Sequence, residues 1–248
     1  MTTERADKLL YLKGLCKSRS AAQALISEGK VKCGGQPVYK PSQLIDTDAE
    51  LFITGTEKYV SRGGYKLGGA LDTFKIDVNG DICVDIGAST GGFTDCLLQH
   101  GTSKVYCIDC GHGQLDKKIA DDKRIINIEN FNAKELCLQT LGEPCDTAVM
   151  DVSFISQTLL HKNVFSVLKP GGKFITLIKP QFEAGRENIG KHGLASPECY
   201  DTVKQKVISS AENAGFELSG IMESSIKGGD GNVEFLAYFK KKGGGIIE

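Results

Sequence analysis

The 248-residue chain is 40% hydrophobic and 25% charged, an ordinary composition for a soluble globular protein with room for one large domain or a moderate domain beside a small one. No apolar run approaches the roughly 18 residues that a bilayer-spanning helix requires, and charges interrupt MTTERADKLLYLKGLCKSR at every turn, unlike a secretory signal. These features predict a cytoplasmic protein without a membrane partner, and the formal net charge of −1 hides an uneven distribution.

Residues 4–40 carry eight basic side chains (Arg5, Lys8, Lys13, Lys17, Arg19, Lys30, Lys32 and Lys40) against three acidic ones (Glu4, Asp7 and Glu28), an excess that points to a polyanionic partner. Leu9, Leu10, Leu12 and Leu15 give residues 4–15 a helical apolar stripe. Ser18 is placed to cap a second helix carrying Ala21, Ala22, Ala24, Leu25 and Ile26, which Gly29 ends. Within VKCGGQPV, Gly34-Gly35 predicts a hairpin turn because both positions tolerate positive φ, and short strands are expected around Ile45 and over Leu51–Ile53. The predicted first domain, residues 1–57, is therefore a small α+β unit. Residues 58–63 read as a linker, and residues 64–248 as a second domain opening on a helix whose buried face is Leu67, Ala70, Leu71 and Phe74.

From residue 82 the pattern changes. Apolar runs at 82–86, 105–109, 125–128, 147–152, 174–178, 216–222 and 234–240 alternate with helical stretches near 91–99, 133–140, 156–168 and 198–213. This is the pattern of an α/β domain with a mostly parallel sheet covered on both faces. The last two runs are separated by SSIKGGDGN, too short and glycine-rich for a crossover helix, so they are expected to pair antiparallel. Nine cysteines scattered mostly through apolar stretches read as reduced thiols. Cys107-Ile108-Asp109-Cys110 has neither the second pair nor the histidines that a zinc site needs, so no metal is expected.

The stretch CVDIGASTGGFT, residues 83–94, joins the first strand of this domain to its helix through glycines. Such a turn lets backbone approach a nucleotide closely, because no Cβ intervenes. Asp85 just before the turn disfavours a pyrophosphate there, and no P-loop lysine is present. Asp109, at the end of the next strand, is placed to accept hydrogen bonds from ribose hydroxyls. The expected ligand is a nucleoside carrying positive charge. S-adenosyl-L-methionine fits, with a sulfonium, an ammonium and no phosphate. Its expected contacts are Asp85, Gly87, Ser89, Gly91, Gly92 and Phe93 in the turn, Asp109 at the ribose, and either Glu129 or Asn130 at the adenine.

The turn, together with YVSRGGYKL (59–67), DVSFIS (151–156), KPQFEAG (179–185) and GNVEFL (231–236), resembles the TlyA family. That family is known under the names hemolysin and ribosomal RNA 2′-O-methyltransferase, and its catalytic domain is similar to FtsJ (RrmJ). Residues 5–53 resemble the small RNA-binding domain shared by a ribosomal small-subunit protein and pseudouridine synthases, so nearly the whole chain is covered. The chain departs from the pattern at His112, where a tyrosine is expected, and at Ser89-Thr90, where the FtsJ group has Ala-Pro and the TlyA branch does not.

The resemblance implies a Rossmann-like seven-stranded methyltransferase sheet with one antiparallel strand, preceded by the α+β RNA-binding domain. It also implies a Lys-Asp-Lys-Glu set at Lys66, Asp151, Lys179 and Glu234, methylating a cytidine 2′-hydroxyl of ribosomal RNA within ribosomal subunits. In this set a neutral Lys179, neighboured by Lys66, takes the hydroxyl proton; Asp151 orients it, and Lys66 and Glu234 place the ribose. Arg5, Lys8, Lys17 and Arg19 are the expected phosphate contacts. Two rival readings are a pore-forming cytolysin, suggested by the older family name, and a non-catalytic RNA-binding assembly factor. The apolar pattern offers the first no spanning run, and the second has no use for an intact four-residue set.

Overall fold

The computed structural model describes residues 2–54 and 58–243. The expected domain boundary at residue 57 lies outside the described residues. The chain separates into two compact units, Met1–Lys58 and Tyr59–Glu248.

The first unit runs β1 (Thr3–Arg5), α1 (Ala6–Leu12), α2 (Arg19–Ser27), β2 (Val31–Cys33), β3 (Gln36–Pro37), β4 (Leu44–Asp46) and β5 (Leu51–Ile53). Ser18 Oγ accepts from the Ala21 N–H at 3.1 Å, and Gly29 (φ 70°) closes α2 in the left-handed region, where a glycine carries no Cβ penalty. Gly34 and Gly35 (φ 53° and 83°) turn β2 into β3 as a hairpin. The strands form two small sheets rather than one: β1 pairs β4, and β3-β2-β5 stand apart. Leu9, Leu10, Ala22, Ile26, Val31, Ile45 and Leu51 fill a core of their own.

The second unit opens with α3 (Arg62–Phe74), two residues earlier than expected. Tyr59, in the stretch expected as a linker, is 2% exposed, because α3 offers it a glycine-faced slot: a Cβ on Gly64 would lie 2.4 Å from the Tyr59 Cβ. There follow β6 (Ile82–Ile86), α4 (Gly92–Gln99), β7 (Lys104–Ile108), α5 (Lys117–Ala120), β8 (Ile125–Ile128), α6 (Leu138–Leu141), β9 (Cys145–Met150), α7 (His161–Val167), β10 (Leu168–Ile178), α8 (Pro180–Glu183), α9 (Tyr200–Asn213), β11 (Phe216–Glu223) and β12 (Phe235–Lys241). The helix expected over 133–140 is broken. Leu136 and Cys137 turn extended, which drives Leu136 into the core at 1% exposure.

The seven strands lie in the order β11-β12-β10-β9-β6-β7-β8, all parallel except β12, which runs antiparallel to both β10 and β11. Side chains alternate across the sheet with period two. Val84, Ile86 and Ile108 face α6, α7 and α9 through Leu141, Val164, Val167, Val203 and Val207. Cys83, Val105 and Cys107 face α3 and α4 through Leu67, Leu71, Cys96 and Leu97. Burial on both faces is why these strands read as continuous apolar runs.

Candidate active site

Sheet topology brings distant motifs to one edge. Asp151 follows β9 and Lys179 follows β10, so two adjacent parallel strands deliver them at their carboxyl ends. Because β12 is antiparallel, its first residue, Phe235, pairs with Ile178, the last of β10, and Glu234 arrives at the same edge from the opposite direction. Ile86 pairs with Met150, which sets the glycine turn beside Asp151. Lys66 comes from the first turns of α3.

The turn is built so tightly that side chains are excluded. At Gly87 (φ 83°) a Cβ would lie 2.4 Å from the Asp151 carbonyl oxygen, and at Gly92 one would lie 2.1 Å from Ser61 Oγ. Gly91 (φ 86°) caps α4, and its missing Cβ makes room for Ile119. The Ser89 N–H donates to Asp109 Oδ2 and the Gly111 N–H to Oδ1, both at 2.7 Å, so backbone amides hold the Asp109 carboxylate while each oxygen keeps a further lone pair.

Two cavities meet here. The first, about 280 Å³, is lined by Lys66, Gly87, Ser89, Gly92, Phe93, Asp151, Lys179 and Glu234, with Ser61 and Arg62 at its wall. The second, about 650 Å³, is lined by Gly87, Ser89, Asp109, Asn130, Phe131, Asp151 and Phe154 among others. Gly87, Ser89, Asp151 and Ser153 line both. The larger volume falls within the range of small-molecule pockets. Its character fits a nucleoside: a carboxylate with free lone pairs at Asp109, apolar walls at Ile108, Val152 and Phe131, and the amide of Asn130. Asp151 at the junction suits a cationic group.

The four residues of the Lys-Asp-Lys-Glu set form two ion pairs. Lys66 Nζ and Glu234 Oε2 are in direct contact, and both side chains are buried. Lys179 Nζ lies 2.5 Å from Asp151 Oδ1 and donates to Ser153 Oγ at 2.9 Å. Each ammonium thus has its own carboxylate, and neither is paired to the other. A positive φ at Phe154 (63°) is uncommon for an aromatic residue, and the loop it sits in presents the ring 93% exposed, 5.1 Å from the Phe182 ring.

Three residues expected against the cofactor do not line either cavity. Asp85 shares a sheet face with Cys83, so it points under α4. It is fully buried there, its Oδ2 accepts from Thr94 Oγ1 at 2.7 Å, and its Oδ1 has no hydrogen-bond partner among the described residues. Desolvation pushes its carboxyl up to about 7. Gly91 serves as the helix cap described above. Glu129 is occupied by the Gly113 N–H at 2.8 Å, Asn127 at 3.0 Å and His112 at 2.9 Å, and the first of these bonds does most to hold its carboxyl below the usual range. Of the two adenine candidates, Asn130 is the one on the cavity wall. Phe131, Phe154 and Ser153 line the cavities without having been singled out from the sequence; an aromatic beside each strand end was the available signal.

In the first unit Arg5, Lys8, Lys17 and Arg19 are all solvent-accessible. Lys8 pairs with Glu4 at 2.5 Å, while Arg5 and Arg19 both bind Asp7.

Residues 59–241 match the family described as FtsJ-like methyltransferase, and residues 4–51 match the S4 domain. Hemolysin A of Brachyspira hyodysenteriae is 40% identical over 95% of this chain and 99% of its own length. The 16S/23S rRNA (cytidine-2′-O)-methyltransferase TlyA of Mycobacterium tuberculosis is 37% identical over 95% of this chain and 89% of its own. A solved Streptococcus thermophilus structure superposes with a TM-score of 0.74 at 40% identity, covering 98% of this chain and 90% of that one.

Proposed function

Because the chain belongs to the FtsJ-like methyltransferase family, we propose that it transfers a methyl group from S-adenosylmethionine to a cytidine 2′-hydroxyl of ribosomal RNA. The observation that carries this reading is the junction of the two cavities. A nucleoside-sized hollow opens onto a smaller one walled by Lys66, Asp151, Lys179 and Glu234.

Asp109, Asn130 and the backbone of the glycine turn would hold the cofactor, which when bound would supply an electrophilic methyl on a cationic sulfur. Lys179 Nζ, once its ammonium proton has passed to solvent, takes the proton of the 2′-hydroxyl and so frees the oxygen to act as the nucleophile. Asp151 fixes Nζ from one side and Ser153 Oγ from another, so the amine is held in one orientation for that transfer. Lys66, locked by Glu234, sets a fixed positive charge beside the oxygen on which negative charge develops. The basic first unit supplies phosphate contacts, and the 2′-hydroxyl itself distinguishes RNA from DNA.

Replacing Lys179 by Ala tests the assignment. The variant is expected to bind S-adenosylmethionine as the parent does, by calorimetry, and to lose methyl transfer to ribosomal subunits; a folded variant that still transfers contradicts it. The hemolysin name borne by a relative yields a different expectation, dye release from protein-free liposomes, which a methyltransferase has no reason to cause.

A further inference from the structure

The sequence counts Asp7 as one of three acids that dilute a basic module; the structure gives it another place. Its side chain is wholly buried in the first unit, yet it is the centre of four hydrogen bonds from three side chains. Arg5 grips it with two, Nε to Oδ1 at 3.0 Å and Nη2 to Oδ2 at 3.1 Å. Arg19 Nη2 and Gln23 Nε2 reach Oδ2 at 3.0 and 2.8 Å from α2. These bonds hold the Asp7 carboxyl far below the usual range, Arg5 contributing most, then Gln23 and Arg19.

The burial is asymmetric. Asp7 is 0% exposed, whereas the Arg5 and Arg19 side chains are 43% and 49% exposed. Each guanidinium has five N–H donors. Asp7 engages two on Arg5 and one on Arg19, leaving the rest of both forks to bind something else. Two cations sharing one buried anion keep a net charge of about +1, and their separation and orientation are set from beneath. Free arginine side chains lose rotamer freedom on binding. Here that ordering is done on folding.

We propose that Asp7 is a positioning residue for RNA binding: it pre-arranges Arg5 and Arg19 as a paired site for phosphodiester groups. This rests on the reading of the first unit as an RNA-binding module. It also makes a prediction opposite in sign to simple electrostatics. Removing a negative charge from a surface that meets RNA should tighten binding if charge alone matters. If Asp7 holds the arginines, Asp7→Asn should loosen it by roughly five- to tenfold.

The experiment compares the full chain, Asp7→Asn, Arg5→Gln/Arg19→Gln and the triple variant for binding to isolated ribosomal subunits across a potassium chloride series, with circular dichroism as a check on folding. The expected result is weaker binding by Asp7→Asn, weaker binding and a shallower salt slope by the double variant, and no further loss in the triple. Tighter or unchanged binding by Asp7→Asn overturns the proposal while leaving the arginines as RNA contacts. An equal loss from Asp7→Asn with and without the arginines overturns it in favour of a purely structural tie between α1 and α2. If the double variant binds like the parent, the two arginines do not contact RNA and the proposal falls with that reading. Methyl transfer by the parent chain, scored in parallel, reports separately on the catalytic reading.

Discussion

The Asp7 cluster of the first unit and the candidate active site of the second bury charge in opposite ways. In the second, Lys66 and Glu234 go under together, and Lys179 with Asp151 is nearly as enclosed. In the first, only the anion is buried and its cations stay half in water. Full burial of both partners gives a fixed dipole beside a cavity, suited to a reaction in which charge appears at one atom. Burial of the anion alone gives an organised cationic surface, suited to a partner that brings its own charge. A third class sharpens the contrast: Asp85 and His161 are buried, and among the described residues neither forms an ion pair.

The largest effect is expected where the pair touches the reacting atoms. Losing Lys179 removes the proton acceptor and should lower the rate of transfer by about 10²- to 10⁴-fold, measured in single turnover at saturating cofactor. A smaller loss would make the Lys179–Asp151 pair structural rather than catalytic.

The next test breaks the wholly buried pair. Lys66→Met leaves Glu234 uncompensated and should cost about 3–5 kcal/mol in denaturant unfolding, whereas Lys66→Met/Glu234→Leu should recover most of it without restoring activity. An equal cost in single and double variants would mean that packing, not charge, governs this site.

The unpaired groups give effects of about 4 and 3 kcal/mol, with opposite pH dependence. Asp85 is raised on folding from 3.8 to about 7 by desolvation, so its contribution is intact below pH 3.8 and is lost as pH rises towards 7. His161, whose Nδ1 lies 2.9 Å from Ser210 Oγ, is lowered by burial from 6.5 to about 4. Its contribution is intact above pH 6.5 and is lost as pH falls towards 4. The windows overlap and partly cancel in the parent. Asp85→Asn should therefore expose a steeper acid loss of stability and His161→Phe a steeper alkaline one, in melts between pH 4 and 8. Parallel curves for all three chains would contradict these assignments.

Much of the fold was legible because the strands of the second unit are buried on both faces and so stand out as apolar runs. Strand β1 and the break at Leu136-Cys137 were not, since three residues of Thr-Glu-Arg and a helical spacing carry no sign of the tertiary contacts that decide them. At the site, the four charged residues could be placed by motif, and the antiparallel β12 explains why Glu234 opens its strand while Asp151 and Lys179 follow theirs. What the sequence hid was parity. Asp85 and Glu129 sit within a residue or two of the cavity, but Asp85 lies on the α4 face of its strand and Glu129 bonds back into its own loop. Asp7 was hidden for another reason: a local charge count weighs an acid only as a subtraction.

The central claim is tested most directly by finding where the methyl goes. Ribosomal subunits treated with the pure protein and labelled S-adenosylmethionine would be stripped to RNA and hydrolysed in alkali, which cannot cleave next to a blocked 2′-oxygen. The account predicts label in an alkali-resistant dinucleotide whose first residue is cytidine. Label recovered in mononucleotides as a methylated base, or no label in RNA at all, would contradict it.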